Sequence, residues 1–236
     1  MRPSGRDPSL RPQMAKNVDL KLEYYFKHSG LLSATVYRKD IEDYIGGALN
    51  SGATIPATPD NGFDGLYGGY VIFRPRNLGS ARLEGFELEY KQRLAFLPGP
   101  FKGLTVRGNY TYLKTEGNFG AATQIKGTQL VNFVPRAVNA GLQYNYRNFG
   151  ATFDLNRTGE YPVAISLTSP GLNAYRRELT TMNASLSYRI RPDATLFLNA
   201  TNLTENGPEH FTFSPDRPRQ LMIAPTSLKF GINGQF

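Results

Sequence analysis

The chain has no cysteine and no tryptophan, and only two histidines, His28 and His210. Without cysteine there is no disulfide framework, no thiol nucleophile and no thiolate metal site. Two histidines far apart, with no His-x-x-x-His spacing, give little support to a zinc centre. Long apolar runs are also missing, and the mean hydropathy is −0.40. A membrane-spanning helix needs about 20 consecutive apolar residues, so helical spanning is excluded. Spanning by strands is not excluded, because alternation dilutes the hydropathy signal. No apolar segment follows Met1, Arg2 and Pro3, so no secretory leader is read at the start. For a barrel protein, that absence leads us to expect a true start upstream.

What is present is aromatic and alternating. The 236 residues include 14 tyrosines and 15 phenylalanines, with a formal net charge of +8. Arginine is scattered along the chain, not gathered into the basic stripe that nucleic-acid binding uses. Nine segments read as strands: 18–26, 31–44, 69–96, 102–114, 136–146, 149–157, 179–190, 194–203 and 219–236. In the first, Val18, Leu20, Leu22, Tyr24 and Phe26 share one face, and Asp19, Lys21, Glu23 and Tyr25 the other. In the last, Leu228, Phe230, Ile232 and Phe236 share a parity, so the chain ends on an aromatic residue in register with an apolar stripe. Chain ends usually fray, and such an ending suits a strand that closes a sheet facing lipid. Gly79 and Gly85, inside the long third segment, suggest bulges or bends.

Alternation alone equally fits a half-buried sheet in a soluble β-sandwich. The connections favour a membrane barrel. Those at 27–30, 97–101, 147–148 and 191–193 are tight; those at 46–67, 115–129, 158–175 and 204–218 are long. Short and long alternate, as short periplasmic turns and long extracellular loops do in outer-membrane barrels. Phe26, Tyr144, Tyr146, Phe149, Tyr188 and Phe236 fall at the short-turn end of their strands on the apolar face, which makes an interfacial girdle. Tyr110 and Tyr112 sit toward the other end. The opposite faces carry Glu87, Glu89, Lys91, Arg107 and Asp154, charges that belong in a solvated lumen. With Phe236 at the periplasmic end, the count back leaves residues 1–17 as the remnant of an extracellular loop. Residues 18–236 are then a barrel segment with an odd strand number, so strands upstream are expected.

Several stretches match a known family in order and spacing. Ser9, Leu10, Arg11 and Pro12, followed by residues 17–26, resemble an L-x-P motif and its N-x-(D/E)-L-x-(L/V)-E-Y-x-F strand. Residues 36–45 resemble an F-Y-x-x-I-x-D-Y-I segment. Asn77, Gly79, Ala81, Gly85, Glu87 and Leu88 resemble an N-x-G-x-A-x-x-x-G-x-E-L strand, and residues 199–203 an N-x-x-N-L motif. The chain thus resembles the C-terminal part of a TonB-dependent outer-membrane receptor. That resemblance implies a 22-stranded barrel of which this chain holds about nine strands. It further implies an N-terminal plug and TonB-contacting box outside the chain, and uptake of a scarce ligand such as a ferric siderophore. It implies partners too: outer-membrane lipid, and the barrel-assembly machinery reading the strand that ends at Phe236.

No catalytic residue, metal ligand or cofactor site is assigned, and the ligand-binding residues are left open. The enzymatic alternative is a small self-sufficient barrel, porin-like or hydrolytic, with His210 near Glu209 and Asp216 in an external loop. No nucleophile motif accompanies them, and a solvated loop histidine is the simpler reading. Gly62, Gly65, Gly68 and Gly69 lack the Lys-Ser/Thr of a phosphate loop and read as flexible loop. Tyr67, Tyr161, Tyr175, Arg176 and Arg177 could meet an anionic or aromatic ligand, since loops on a rigid scaffold often carry binding. Ordinary loop polarity explains them equally well.

Overall fold

The structure, a computed structural model, describes residues 10–27, 29–77, 79–118, 129–166 and 169–234. Phe236 and His28 lie outside them. Among the described residues fifteen strands are formed. They are β1 (Met14–Phe26), β2 (Gly30–Glu42), β3 (Ile45–Thr54), β4 (Val71–Asn77) and β5 (Ser80–Arg93). Next come β6 (Leu104–Asn118), β7 (Arg136–Tyr146), β8 (Phe149–Thr158), β9 (Tyr161–Ala164) and β10 (Ala174–Arg176). The last five are β11 (Leu179–Arg191), β12 (Ala194–Thr201), β13 (Glu209–Thr212), β14 (Pro218–Leu221) and β15 (Ser227–Gly234). Two short 3-10 turns are the only helical elements among the described residues, and no helix is long and apolar enough to cross a membrane.

Nine strands form one sheet in the order β1-β2-β5-β6-β7-β8-β11-β12-β15. The antiparallel register is unbroken across its centre. Leu142, for example, faces Val106 on one side and Phe153 on the other. A four-stranded sheet, β14-β13-β10-β9, is built entirely from the long connections, and β3 and β4 form a hairpin of their own.

The chain divides into two compact units: Met1–Asn17, Lys39–Arg82 and Glu116–Thr128 in the first; Val18–Arg38, Leu83–Thr115 and Gln129–Phe236 in the second. In the first unit Asn77 ties the entering chain down. Its side-chain amide donates to the carbonyls of Arg11 (3.0 Å) and Asp43 (2.7 Å) and accepts from the Arg11 amide (2.9 Å). Arg11 also pairs with the Asp43 carboxylate at 2.6 Å.

Three expectations change. The third segment is two strands, not one. It breaks at Gly79, whose φ of 120° no L side chain favours and whose carbonyl accepts from the Tyr44 amide at 2.8 Å. Gly85, by contrast, sits inside continuous β5. A Cβ there would lie 2.1 Å from the Tyr112 carbonyl oxygen and 2.8 Å from the Tyr37 hydroxyl, so close approach requires the glycine. The ninth segment likewise divides, β14 joining the loop sheet and β15 the wall. And β1 begins at Met14, four residues ahead of its apolar alternation at Val18.

The buried apolar set is small: Ile41, Ile55, Ala81, Leu130, Ala174 and Phe211. Most of the apolar surface is instead exposed on one face of the wall. Leu198, with Leu186 and Phe230 beside it in register, is 41% exposed, and Phe230 is 82% exposed. A soluble sandwich would cover that face with a second sheet about 10 Å away. No such layer lies over it among the described residues.

Candidate functional site

Strand register assembles the alternating residues into rows that cross the wall. On one face, Tyr146, Phe149, Tyr188, Leu196 and Ile232 stand side by side at the short-turn end. The next row is Leu104, Tyr144, Ala151, Leu186, Leu198 and Phe230; above it come Val106, Leu142, Phe153, Ala184, Ala200 and Leu228. From Tyr146 to Val138 the face is apolar, matching the 9–11 residues that a tilted strand needs to cross hydrocarbon. Rings cluster at the short-turn end: Tyr144 and Tyr146 have centroids 6.4 Å apart, Tyr144 and Phe149 6.0 Å, Phe26 and Tyr90 6.2 Å. A second cluster, Phe86 with Tyr110 and Tyr112 at 5.8 and 5.6 Å, marks the loop end. Rings with a polar edge settle at headgroup depth, so two bands bracketing an apolar belt fit a membrane wall.

The other face is mainly polar, with Phe197 between Ser187 and Gly231 an apolar exception. Arg107, Gly141 and Asp154 are register partners on β6, β7 and β8, and the Arg107 guanidinium pairs with the Asp154 carboxylate over the glycine. A Cβ on Gly141 would come within 2.5 Å of the Arg107 Nε and 2.7 Å of the Asp154 Oδ1. Next along, Asn139 donates to Asn109 at 2.7 Å, and Thr152 bonds Ser185 at 2.7 Å. On β1, Glu23 accepts from Lys21 and from the Tyr25 hydroxyl, each at 2.6 Å. Glu89, Lys91, Arg107, Asn139, Asp154 and Asn156 line a depression of about 350 Å³. These charges would be costly in lipid, and Arg107 with Asp154 and Lys21 with Glu23 neutralise each other.

The loop sheet gathers most of the candidate loop residues. Arg176 lies between Tyr161 and His210 in register, and its Nη1 donates to the Tyr161 hydroxyl at 3.1 Å. Its guanidinium also stands 5.9 Å from the centre of that ring. Tyr175 stacks on Phe211 at 5.5 Å, and Phe211 is buried beside Ala174. Arg177 pairs with Glu209 at 3.2 Å and donates to the Pro215 carbonyl at 3.1 Å. Among the described residues, the Arg176 Nε is the buried side-chain atom left without a hydrogen-bond partner.

The hydrolytic constellation is not assembled. The Glu209 carboxylate pairs with Arg177 and Asp216 accepts from the Ser214 hydroxyl at 3.3 Å, and among the described residues no hydrogen bond joins either to His210. Among the described residues no group of three His, Cys, Asp or Glu side chains is placed to hold a metal ion. Tyr67 belongs to the first unit, where it meets Phe63 at 6.0 Å and Tyr70 at 5.8 Å. The glycine-rich stretch beside it is folded into turns around Asn61. Asn61 donates to the Pro56 and Leu66 carbonyls and accepts from the Phe63 and Gly65 amides, while Gly62, Gly65 and Gly69 take positive φ. Sequence reasoning passed over Asn61, although an Asx residue beside glycines is a turn-forming signal.

One antiparallel sheet with a lipophilic face, a polar face and loops built up at one end is the wall of a transmembrane β-barrel. The chain belongs to the TonB dependent receptor-like β-barrel family, whose pattern it matches over residues 2–203. No curated protein matches it in sequence. Solved structures share its fold. The copper transporter OprC superposes with a TM-score of 0.66 at 13% identity, over 97% of this chain and 31% of that one. The ferric-catecholate import receptor Fiu from E. coli gives 0.64 at 20% identity, over 98% and 29%. The siderophore receptor PirA from Acinetobacter baumannii gives 0.64 at 16%, over 96% and 32%. The chain therefore spans about a third of the length of these structures.

Proposed function

We propose that this chain is part of the wall of an outer-membrane receptor of a Gram-negative cell, taking up a scarce metal chelate of the ferric siderophore kind. From Met14, where β1 begins, the chain forms the C-terminal portion of the barrel. TonB supplies the energy through a region N-terminal to this chain, and the strand ending at Phe236 is read by the barrel-assembly machinery. The observation that carries this reading is the division of one nine-stranded sheet into an apolar face and a polar face. Two of the structural neighbours are a ferric-catecholate import receptor and a siderophore receptor, which supports the ligand class.

Binding falls to the loop sheet. Arg176 offers its guanidinium to an anionic chelate, while Tyr161 fixes one side of it. Arg177, tied to Glu209 and to the Pro215 carbonyl, braces the strand behind it. A planar guanidinium beside aromatic rings suits an anionic aromatic ligand. The work asked of the protein is recognition and release, with no covalent step.

The test is made on the full-length protein carrying this chain. It is expected in the outer-membrane fraction, with heat-modifiable migration on gels and TonB-dependent accumulation of radioactive iron supplied as ferric catecholate. Recovery as a soluble, monodisperse monomer without detergent would contradict the reading.

A further inference from the structure

All four short turns carry the same pair of neighbours, an aromatic residue followed at once by a cation: Phe26 and Lys27, Phe101 and Lys102, Tyr146 and Arg147, Tyr188 and Arg189. Three of the pairs stand at or near the ends of β1, β7 and β11, and Phe101 with Lys102 comes just ahead of β6. The hairpins β1–β2, β5–β6, β7–β8 and β11–β12 follow one another across the nine-stranded sheet. Their turns therefore line one edge of the wall, two strand spacings or about 10 Å apart.

The charge along this edge is of one sign. Arg93 and Arg191 join the four cations, and Asp193 is the only acid within 24–30, 92–103, 144–150 and 187–194. All six cations are exposed. None of them forms an ion pair among the described residues, whereas Lys21, Arg107, Lys114 and Arg157, farther up the strands, each have a carboxylate partner. Two of the turns are also tied together. The Arg189 amide donates to the Asn148 carbonyl at 2.8 Å, which joins the turn bearing Arg147 to the strand bearing Arg189.

The aromatic partner says what the cations meet. Tyr146 and Tyr188 stand in the lowest apolar row, Phe26 packs at 6.2 Å from Tyr90, and Phe101 is 62% exposed. The Arg147 guanidinium lies 5.3 Å from the centre of the Tyr146 ring. A ring at the boundary of the hydrocarbon, with a cation one residue beyond it, reaches the depth of the lipid phosphates. Arginine grips a phosphate with two parallel hydrogen bonds, and lysine serves it as a point charge. A headgroup with its own ammonium already neutralises its phosphate, so unpaired cations gain more from one without.

We infer that this edge binds anionic phospholipid in the leaflet at the short-turn end, in preference to zwitterionic phospholipid. Arg147 and Arg189 take headgroups at the two joined turns, and Lys27 and Lys102 at the other two. The inference rests on the membrane orientation proposed above, and the experiment keeps the two apart: outer-membrane partition tests the orientation, and lipid preference tests this edge.

The full-length protein in mild detergent is titrated with an equal mixture of phosphatidylglycerol and phosphatidylethanolamine of matched acyl chains and read by native mass spectrometry. Phosphatidylglycerol is expected to be retained preferentially, with the preference falling as salt rises. Replacing Lys27, Lys102, Arg147 and Arg189 together by Gln is expected to weaken its binding about tenfold or more, what one to two cations near an anionic surface are worth. Arg217→Gln with Arg219→Gln, in the last long loop, should change nothing. Equal retention of the two lipids, no salt dependence, or an undiminished preference in the fourfold variant overturns the inference. So does full displacement by inorganic phosphate at constant ionic strength, which marks a site for free anions. Should the fourfold variant fail to assemble, the lipid preference, the salt series and the phosphate competition decide on the unaltered protein.

Discussion

Arg107 and Asp154 reach each other across Gly141, on a strand that lies between theirs. The glycine leaves the space through which the two side chains meet, and the pair staples three strands on the polar face. Both partners are partly solvated, with side chains 52% and 33% exposed, so the pair contributes at most about 1 kcal/mol. A double-mutant cycle with Arg107→Gln and Asp154→Asn is expected to give a coupling below that figure.

The two interior glycines should respond differently to alanine. At Gly141 the obstructing atoms are ends of flexible side chains, which can swing aside. At Gly85 the nearest obstruction is the Tyr112 carbonyl oxygen at 2.1 Å, which is backbone. Gly141→Ala is therefore expected to cost less than about 1 kcal/mol, and Gly85→Ala about 1–3 kcal/mol, as overpacking does. Urea unfolding of the purified protein in lipid vesicles measures both.

Adjacent residues of β7 should differ sharply toward charge. Leu142 lies in the middle of the apolar rows and Gln143 on the polar face. Leu142→Arg is expected to cost about 2–4 kcal/mol and to reduce assembly into the outer membrane, whereas Gln143→Arg is tolerated. The fraction of heat-modifiable protein in outer membranes reads the difference.

Asn202 organises the base of the last long loop. Its φ is 56°, its amide donates to the Asn183 side chain at 2.9 Å, and its own side-chain amide donates to the carbonyls of Asn206 and Ala224. Asn202→Ala loses the left-handed tolerance and leaves carbonyls unpaired, for an expected loss of about 1–3 kcal/mol. Protease nicking within 204–226 should appear at lower protease concentration.

At the loop sheet, Arg176→Ala is expected to lower the affinity for an anionic ferric catecholate about tenfold while leaving membrane assembly unchanged. Tyr161→Phe, which removes one hydrogen-bond partner of the guanidinium, should have a smaller effect of the same sign. Fluorescence-quenching titrations with a ferric catecholate and a neutral ferric hydroxamate separate charge from shape.

The wall was largely legible before the structure, because period-two alternation is a local signal. The bounds of β7 agree with the sequence reading at both ends, since Val138 to Tyr146 alternates without a fault. The start of β1 was missed because Lys16 interrupts the apolar row; it stands at the loop end, where it pairs with Glu42 at 3.5 Å. The loop sheet was illegible for another reason. Its strands are three or four residues long, β9 contains Pro162, and β10 pairs with β13, far along the chain. Tyr161, Tyr175, Arg176 and Arg177 could be named singly, but only register brings them together around Phe211. The family motifs gain a physical meaning as well: Arg11 and Asn77, quoted from separate motifs, are hydrogen-bonded to each other.

Single-cysteine labelling, with any cysteine outside this cysteine-free chain replaced, is the most direct test of the central claim, that one face of this sheet meets lipid and the other water. Single cysteines at 138, 139, 140, 142, 143, 144 and 145 on β7 can be labelled with an environment-sensitive probe in the full-length protein, reconstituted with brominated lipid. Positions 138, 140, 142 and 144 are expected to be quenched by the lipid, and 139, 143 and 145 are not. Uniform quenching, or no alternation with residue parity, would contradict the claim.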